Sequence, residues 1–67
     1  MTVHLYYPME RGGTANDPQL KVVTPWAAGA DLPEVGRQWH FAHIGRTLCA
    51  RTAELKGDTY TVQCTDK

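Results

Sequence analysis

Apolar and polar side chains alternate with a period of two in several short stretches of this chain, and turn-forming residues separate those stretches. Thr2-Val3-His4-Leu5-Tyr6-Tyr7 puts Val3, Leu5 and Tyr7 on one face of a strand and His4 and Tyr6 on the other. Pro8 is expected to stop it, because proline cannot donate to a ladder. Residues 8–18 combine two prolines, Gly12-Gly13 and Asn16-Asp17, each a turn former for its own reason. They predict a surface loop, longer than a hairpin needs, that is either mobile or a binding loop.

Leu20 to Thr24 reads as a short second strand with Leu20 and Val22 inward. Thr24-Pro25-Trp26-Ala27-Ala28-Gly29 has the grammar of one helical turn: a capping threonine, proline at the first position and glycine at the exit. An irregular loop suits the same residues. Gln38 to Ile44 alternates loosely, with Trp39, Phe41 and His43 on one side and His40, Ala42 and Ile44 on the other. Gly45 then marks a turn before a strand over Thr47 to Leu55. Thr59 to Thr65 alternates strictly, with Tyr60, Val62 and Cys64 sharing a face.

A hairpin turn centred on Lys56-Gly57-Asp58 joins the last two strands. A two-residue Lys56-Gly57 turn, or four residues from Leu55 to Asp58, sets Cys49 opposite Cys64, Arg51 opposite Val62 and Ala53 opposite Tyr60. That register gathers the apolar residues on one face but leaves Arg51 on it. The fold expected is therefore all-β: a single domain over residues 1–67, a small five-stranded SH3-like or OB-like partly open barrel with at most one short helical turn.

Composition narrows the function classes. At sixty-seven residues the chain has room for one core, and a domain of this size buries only about 60% of its unfolded surface. Seven basic residues balance seven acidic ones, which argues against a generic nucleic-acid or anionic-membrane binder. The halves differ: residues 1–34 carry two basic and four acidic groups, residues 35–67 five basic and three acidic. No apolar run is long enough to span a bilayer or to form a signal-peptide core. Two cysteines are too few for a secreted disulfide scaffold, so the expected location is cytoplasmic, with reduced thiols.

The candidate chemistry is sparse. Serine is absent, which removes a serine nucleophile. His40, His43, Cys49 and Cys64 provide four zinc-ligand types, but without the two close pairs of a zinc site, and a strand would point His40 and His43 to opposite faces. The cysteines read as small buried apolar residues rather than a disulfide or a nucleophile. Carboxylates fall singly in turns, and Gly12-Gly13 lacks the lysine and helix of a phosphate loop. No catalytic residue, metal or cofactor is expected, and the chain reads as a non-enzyme.

Two binding functions remain. The first is a small protein-binding module: an adaptor, inhibitor or accessory protein of the kind that mobile elements and bacterial operons encode. Its partner-binding residues are expected at Trp26, Tyr6 and Arg11, since Trp, Tyr and Arg are common interface anchors. A homodimer is one form such a partner takes. The alternative is a single-strand nucleic-acid binder that stacks bases on Trp39 and Phe41 and tracks phosphates with Arg37, Arg46 and Arg51. Trp39 and Phe41 also suit a core short of large apolar groups.

Overall fold

The computed structural model describes residues 1–14, 16–27 and 29–66. Five strands, β1 (Thr2–Pro8), β2 (Gln19–Pro25), β3 (Gln38–Phe41), β4 (Arg46–Lys56) and β5 (Thr59–Thr65), form one sheet in the order β2-β1-β5-β4-β3. The sheet curls into a half-barrel. Every neighbouring pair is antiparallel except β1 and β5, which run parallel and join the N-terminal hairpin to the C-terminal meander. The concave face holds the core: Val3, Leu5 and Tyr7 from β1, Val62 and Cys64 from β5, Leu48 and Ala50 from β4, and Phe41 from β3. Among the described residues there is no helix, and so none long and apolar enough to cross a membrane.

The strand positions follow the alternation closely, and the departures have local causes. Pro8 does not stop β1 but closes it, buried and opposite Gln19. Thr2 N–H donates towards β5, to the Asp58 carbonyl at 3.0 Å, so even-numbered residues of β1 face that neighbour. The β1–β5 ladder ends at Tyr6 and Gln63, and proline's missing N–H therefore removes no ladder bond at position 8. β3 ends at Phe41 instead of reaching Ile44, because Ala42–Gly45 makes a turn with Ile44 N–H on the Phe41 carbonyl at 3.2 Å. The expected helical turn over Thr24–Gly29 runs through Ala28, outside the described residues; Thr24 and Pro25 belong to β2.

The β4–β5 register differs from the expected one. The turn is Gly57-Asp58, pairing Lys56 with Thr59, Leu55 with Tyr60 and Ala53 with Val62. Gly57 has φ of +58° while Asp58 stays at negative φ, the arrangement in which glycine takes the first position of a type II′ hairpin. A bulge at Arg51 then shifts the ladder so that Ala50 meets Cys64 and Cys49 meets Thr65. One extra residue changes the phase of alternation. Leu48, Ala50 and Ala53 all turn inward, and Arg51 is released to solvent. The unwelcome inner-face arginine is thus removed, and Cys49 and Cys64 are not ladder partners; both are free thiols.

The two ends of the half-barrel are closed differently. At the Met1 end, Trp26, Leu32 and Tyr60 pack against the core, and the Tyr60 hydroxyl donates to the Pro33 carbonyl at 2.7 Å. The end near Pro8 is closed by charge, by Arg46 and Asp66.

Candidate interaction surface

Two backbone bonds settle which groups of β2 are spoken for. Trp26 N–H donates to the Met1 carbonyl at 2.8 Å, and Met9 N–H to the Pro18 carbonyl at 3.0 Å. Backbone groups alternate in direction along a strand, so Leu20, Val22 and Thr24 turn their N–H and C=O towards β1. Lys21 and Val23 turn theirs away. Among the described residues no strand pairs with that outer edge, which spans seven residues. Pro25 sits on the outward phase too, where its missing N–H costs β1 nothing.

The side chains flanking this edge are partly apolar. Val23 is 56% exposed and Leu20 39%, on opposite faces of the strand. Register sets Val23 beside His4 and Lys21 beside Tyr6, on the convex face away from the core. Lys21 Nζ lies 5.7 Å from the centre of the Tyr6 ring, a cation–π contact that keeps the ammonium over the strand. Leu20 shares the core phase, in line with its expected inward direction, but it stands at the rim.

The second feature is the charged closure near Pro8. Arg46 and Asp66 form an ion pair at 2.5 Å with side chains only 10% and 9% exposed. The guanidinium also donates to the Pro8 carbonyl at 2.6 Å and the Glu10 carbonyl at 3.3 Å, and stands 5.2 Å from the Tyr7 ring centre. Asp66 accepts from Gly12 N–H as well. Its hydrogen bond from Arg46 holds the carboxyl below the ordinary range, against the opposing effect of burial, and the Gly12 amide adds to the lowering. The β1–β2 loop is thus tied to β4 and to the end of β5. Within it, Thr14 N–H donates to Asp17 Oδ2 at 2.7 Å. Gly13 admits no side chain, since a Cβ there would lie 2.6 Å from that of Pro8. Of the two expectations for residues 8–18, mobile or binding, the described part of the loop is tethered; Ala15 lies outside the described residues.

The expected partner-binding residues do not form one patch. Tyr6 lies half-buried on the convex face beside Lys21. Arg11 is exposed in the loop, with Nη2 donating to the Gly45 carbonyl at 3.3 Å. Trp26 packs against the core near Met1, with Nε1 donating to the Asp31 carbonyl at 3.1 Å. Tyr6 and Met1 are five strand residues apart, roughly 17 Å.

The nucleic-acid set is divided as well. Phe41 is 2% exposed and Arg46 is consumed by its ion pair, so neither is presented to a strand of bases. Trp39 packs partly against the core, and Arg37 is paired with Glu34 at 3.3 Å. Arg51 alone of the five is exposed without such a contact among the described residues.

Among the described residues no three metal-ligating side chains come together. His40 Nδ1 lies 3.1 Å from Thr47 Oγ1, and His43 makes an edge-to-face contact with Phe41. Burial, followed by the nearby Cys49, pushes the Cys64 thiol up to about 12, which makes it a poor nucleophile. Lys21, Val23 and Asp66 escape a reading of residue types. The one cue to the β2 edge is the proline that ends it. Comparison with protein-family models, curated proteins and solved structures gave no match to this chain.

Proposed function

We propose that this chain is a non-enzymatic protein-binding module that takes an extended segment of a partner onto the free edge of β2. The observation that carries the reading is the outward-facing backbone of Lys21 and Val23 on a seven-residue strand with no neighbour beyond it among the described residues. An unsatisfied edge is a template for strand addition: main-chain bonds provide affinity, and alternate side chains provide selectivity. Val23 and His4 flank the added strand on the convex face, Leu20 and Val22 on the core side, and the Tyr6–Lys21 pair sets its end. The size and five-strand composition suit an SH3-like or OB-like use of a small barrel as a display platform. Two free thiols fit a cytoplasmic location.

The test compares wild-type protein with Val23→Pro and Arg51→Gln. Proline at 23 removes an outward N–H and leaves every bond to β1 in place. A partner recovered by affinity capture from the native host is titrated against all three. Val23→Pro is expected to weaken binding by about tenfold, the loss of one strand hydrogen bond at an interface. Arg51→Gln is expected to leave it unchanged. Equal affinity for Val23→Pro, in protein shown by circular dichroism to be folded, rules the edge out. Oligonucleotide binding that falls steeply with salt would instead establish the single-strand reading.

A further inference from the structure

A cleft of about 340 Å³ lies between the β1–β2 loop and the β3–β4 turn, away from the free edge of β2. Its walls are Arg11 and Gly12 on one side, His40, Gly45, Arg46 and Thr47 on the other, with Asp66 between them. Bonds across it hold the walls in place: Arg11 Nη2 to the Gly45 carbonyl, and Arg46 Nη1 to the Pro8 carbonyl.

The hydrogen-bonding account of these walls is one-sided. Among the described residues the only carboxylate in the lining is Asp66, already engaged by Arg46 and by Gly12 N–H. Arg11 carries five N–H donors, and one of its terminal nitrogens is bound to Gly45. His40 uses Nδ1 on Thr47 and keeps its second ring nitrogen. Arg46 Nε is buried with no acceptor among the described residues, although its side chain is nine-tenths buried. A buried donor without an acceptor is uncommon in folded proteins. The cleft therefore leaves the remaining Arg11 donors and the second His40 ring nitrogen for whatever enters it, and a preformed arrangement needs little ordering to use them.

We propose that this cleft is a binding site for a phosphate-sized oxyanion, with Arg11 and His40 as its direct ligands and Arg46 as a fixed cation behind them. A guanidinium matches two oxygens of such a group at once, and the second ring nitrogen of His40, on the opposite wall, is assigned the third. Asp66 lies between the walls, and its pairing with Arg46 leaves the Arg11 guanidinium as the lining cation without a carboxylate partner among the described residues.

The experiment is a titration of the full chain with inorganic phosphate, followed by amide and imidazole resonances, with acetate and sodium chloride at matched ionic strength as comparison arms. Phosphate is expected to shift Gly12, Gly45, Thr47 and the His40 ring along one saturable curve. Arg11→Gln and His40→Gln are each expected to weaken it about tenfold, the scale of one charge-assisted hydrogen bond. Arg51→Gln serves as a charge control and is expected to have no effect. Saturation by acetate at equal concentration would make the site one for carboxylates and overturn the phosphate assignment. Linear shifts shared with sodium chloride, or unchanged affinity in both cleft variants, would overturn the site itself.

Discussion

Asp66→Asn isolates the charge that closes the half-barrel. The substitution keeps the shape of the side chain and removes the carboxylate that Arg46 meets at 2.5 Å. Breaking a fully buried ion pair by deleting one partner costs about 3–5 kcal/mol. Here both side chains retain about a tenth of their exposure, and Arg46 keeps the Pro8 and Glu10 carbonyls, which reduces the expected cost to about 2–3 kcal/mol. A domain of this length has roughly 3–10 kcal/mol in total, so a large share of it rests on this contact. At about 4–8 °C per kcal/mol, the melting temperature should fall by about 10–20 °C at neutral pH.

The pH dependence gives a second readout. The folded protein holds the Asp66 carboxyl below its ordinary 3.8, chiefly through the Arg46 hydrogen bond, so on acidification the unfolded chain takes up that proton first. The contribution is then complete above about pH 5 and disappears as pH falls through the lowered folded-state value. Thermal melts from about pH 7 to about pH 2.5 should show wild type and Asp66→Asn converging at the acid end. A variant that melts within about two or three degrees of wild type at neutral pH, or a gap that does not close in acid, would refute the assignment; about 0.5 kcal/mol is all such a shift represents.

Three further outcomes follow from the packing. Trp26→Ala should lower stability by about 2–3 kcal/mol, measured by urea unfolding, because Trp26 packs on the core and its indole is bonded to Asp31; an unchanged midpoint would show it to be a surface group. Gly57→Ala should cost about 1 kcal/mol, since a side chain at φ of +58° is strained, and Gly57→Asn should recover part of it in the same assay. In thiol labelling at neutral pH, the partly exposed Cys49 should react ahead of the buried Cys64, which reacts only as the protein unfolds. Because burial raises the Cys64 thiol from 9.0 to about 12, stability should also decline as pH rises through that interval, where the unfolded chain loses the proton first; fast reaction of two thiols would contradict both statements.

Period-two alternation makes β5 legible to the residue, and it marks Val3, Leu5 and Tyr7 as a core face from residue types alone. Alternation fails where a single residue changes phase. The Arg51 bulge has no signature in residue type, and a turn at Gly57-Asp58 rather than Lys56-Gly57 moves every β4–β5 pair. The parallel pairing of β1 with β5 is equally hidden, since it joins strands more than fifty residues apart by shape and burial and not by local propensity. The pairing of Arg46 with Asp66 is hidden as well because twenty residues separate them; only curling of the sheet brings both to one end of the core. The β2 edge is a property of topology. A strand becomes an edge when nothing else arrives beside it.

Residue-level amide hydrogen exchange, free and with a captured partner, tests the edge most directly. In the free protein, exchange should be slow at Leu20, Val22 and Thr24, which face β1, and fast at Lys21 and Val23, which face outward. On partner binding, protection at Lys21 and Val23 should rise by about tenfold or more, the worth of about 1.4 kcal/mol per protected bond. Unchanged exchange at those two amides, with new protection elsewhere on the sheet, would contradict strand addition at β2.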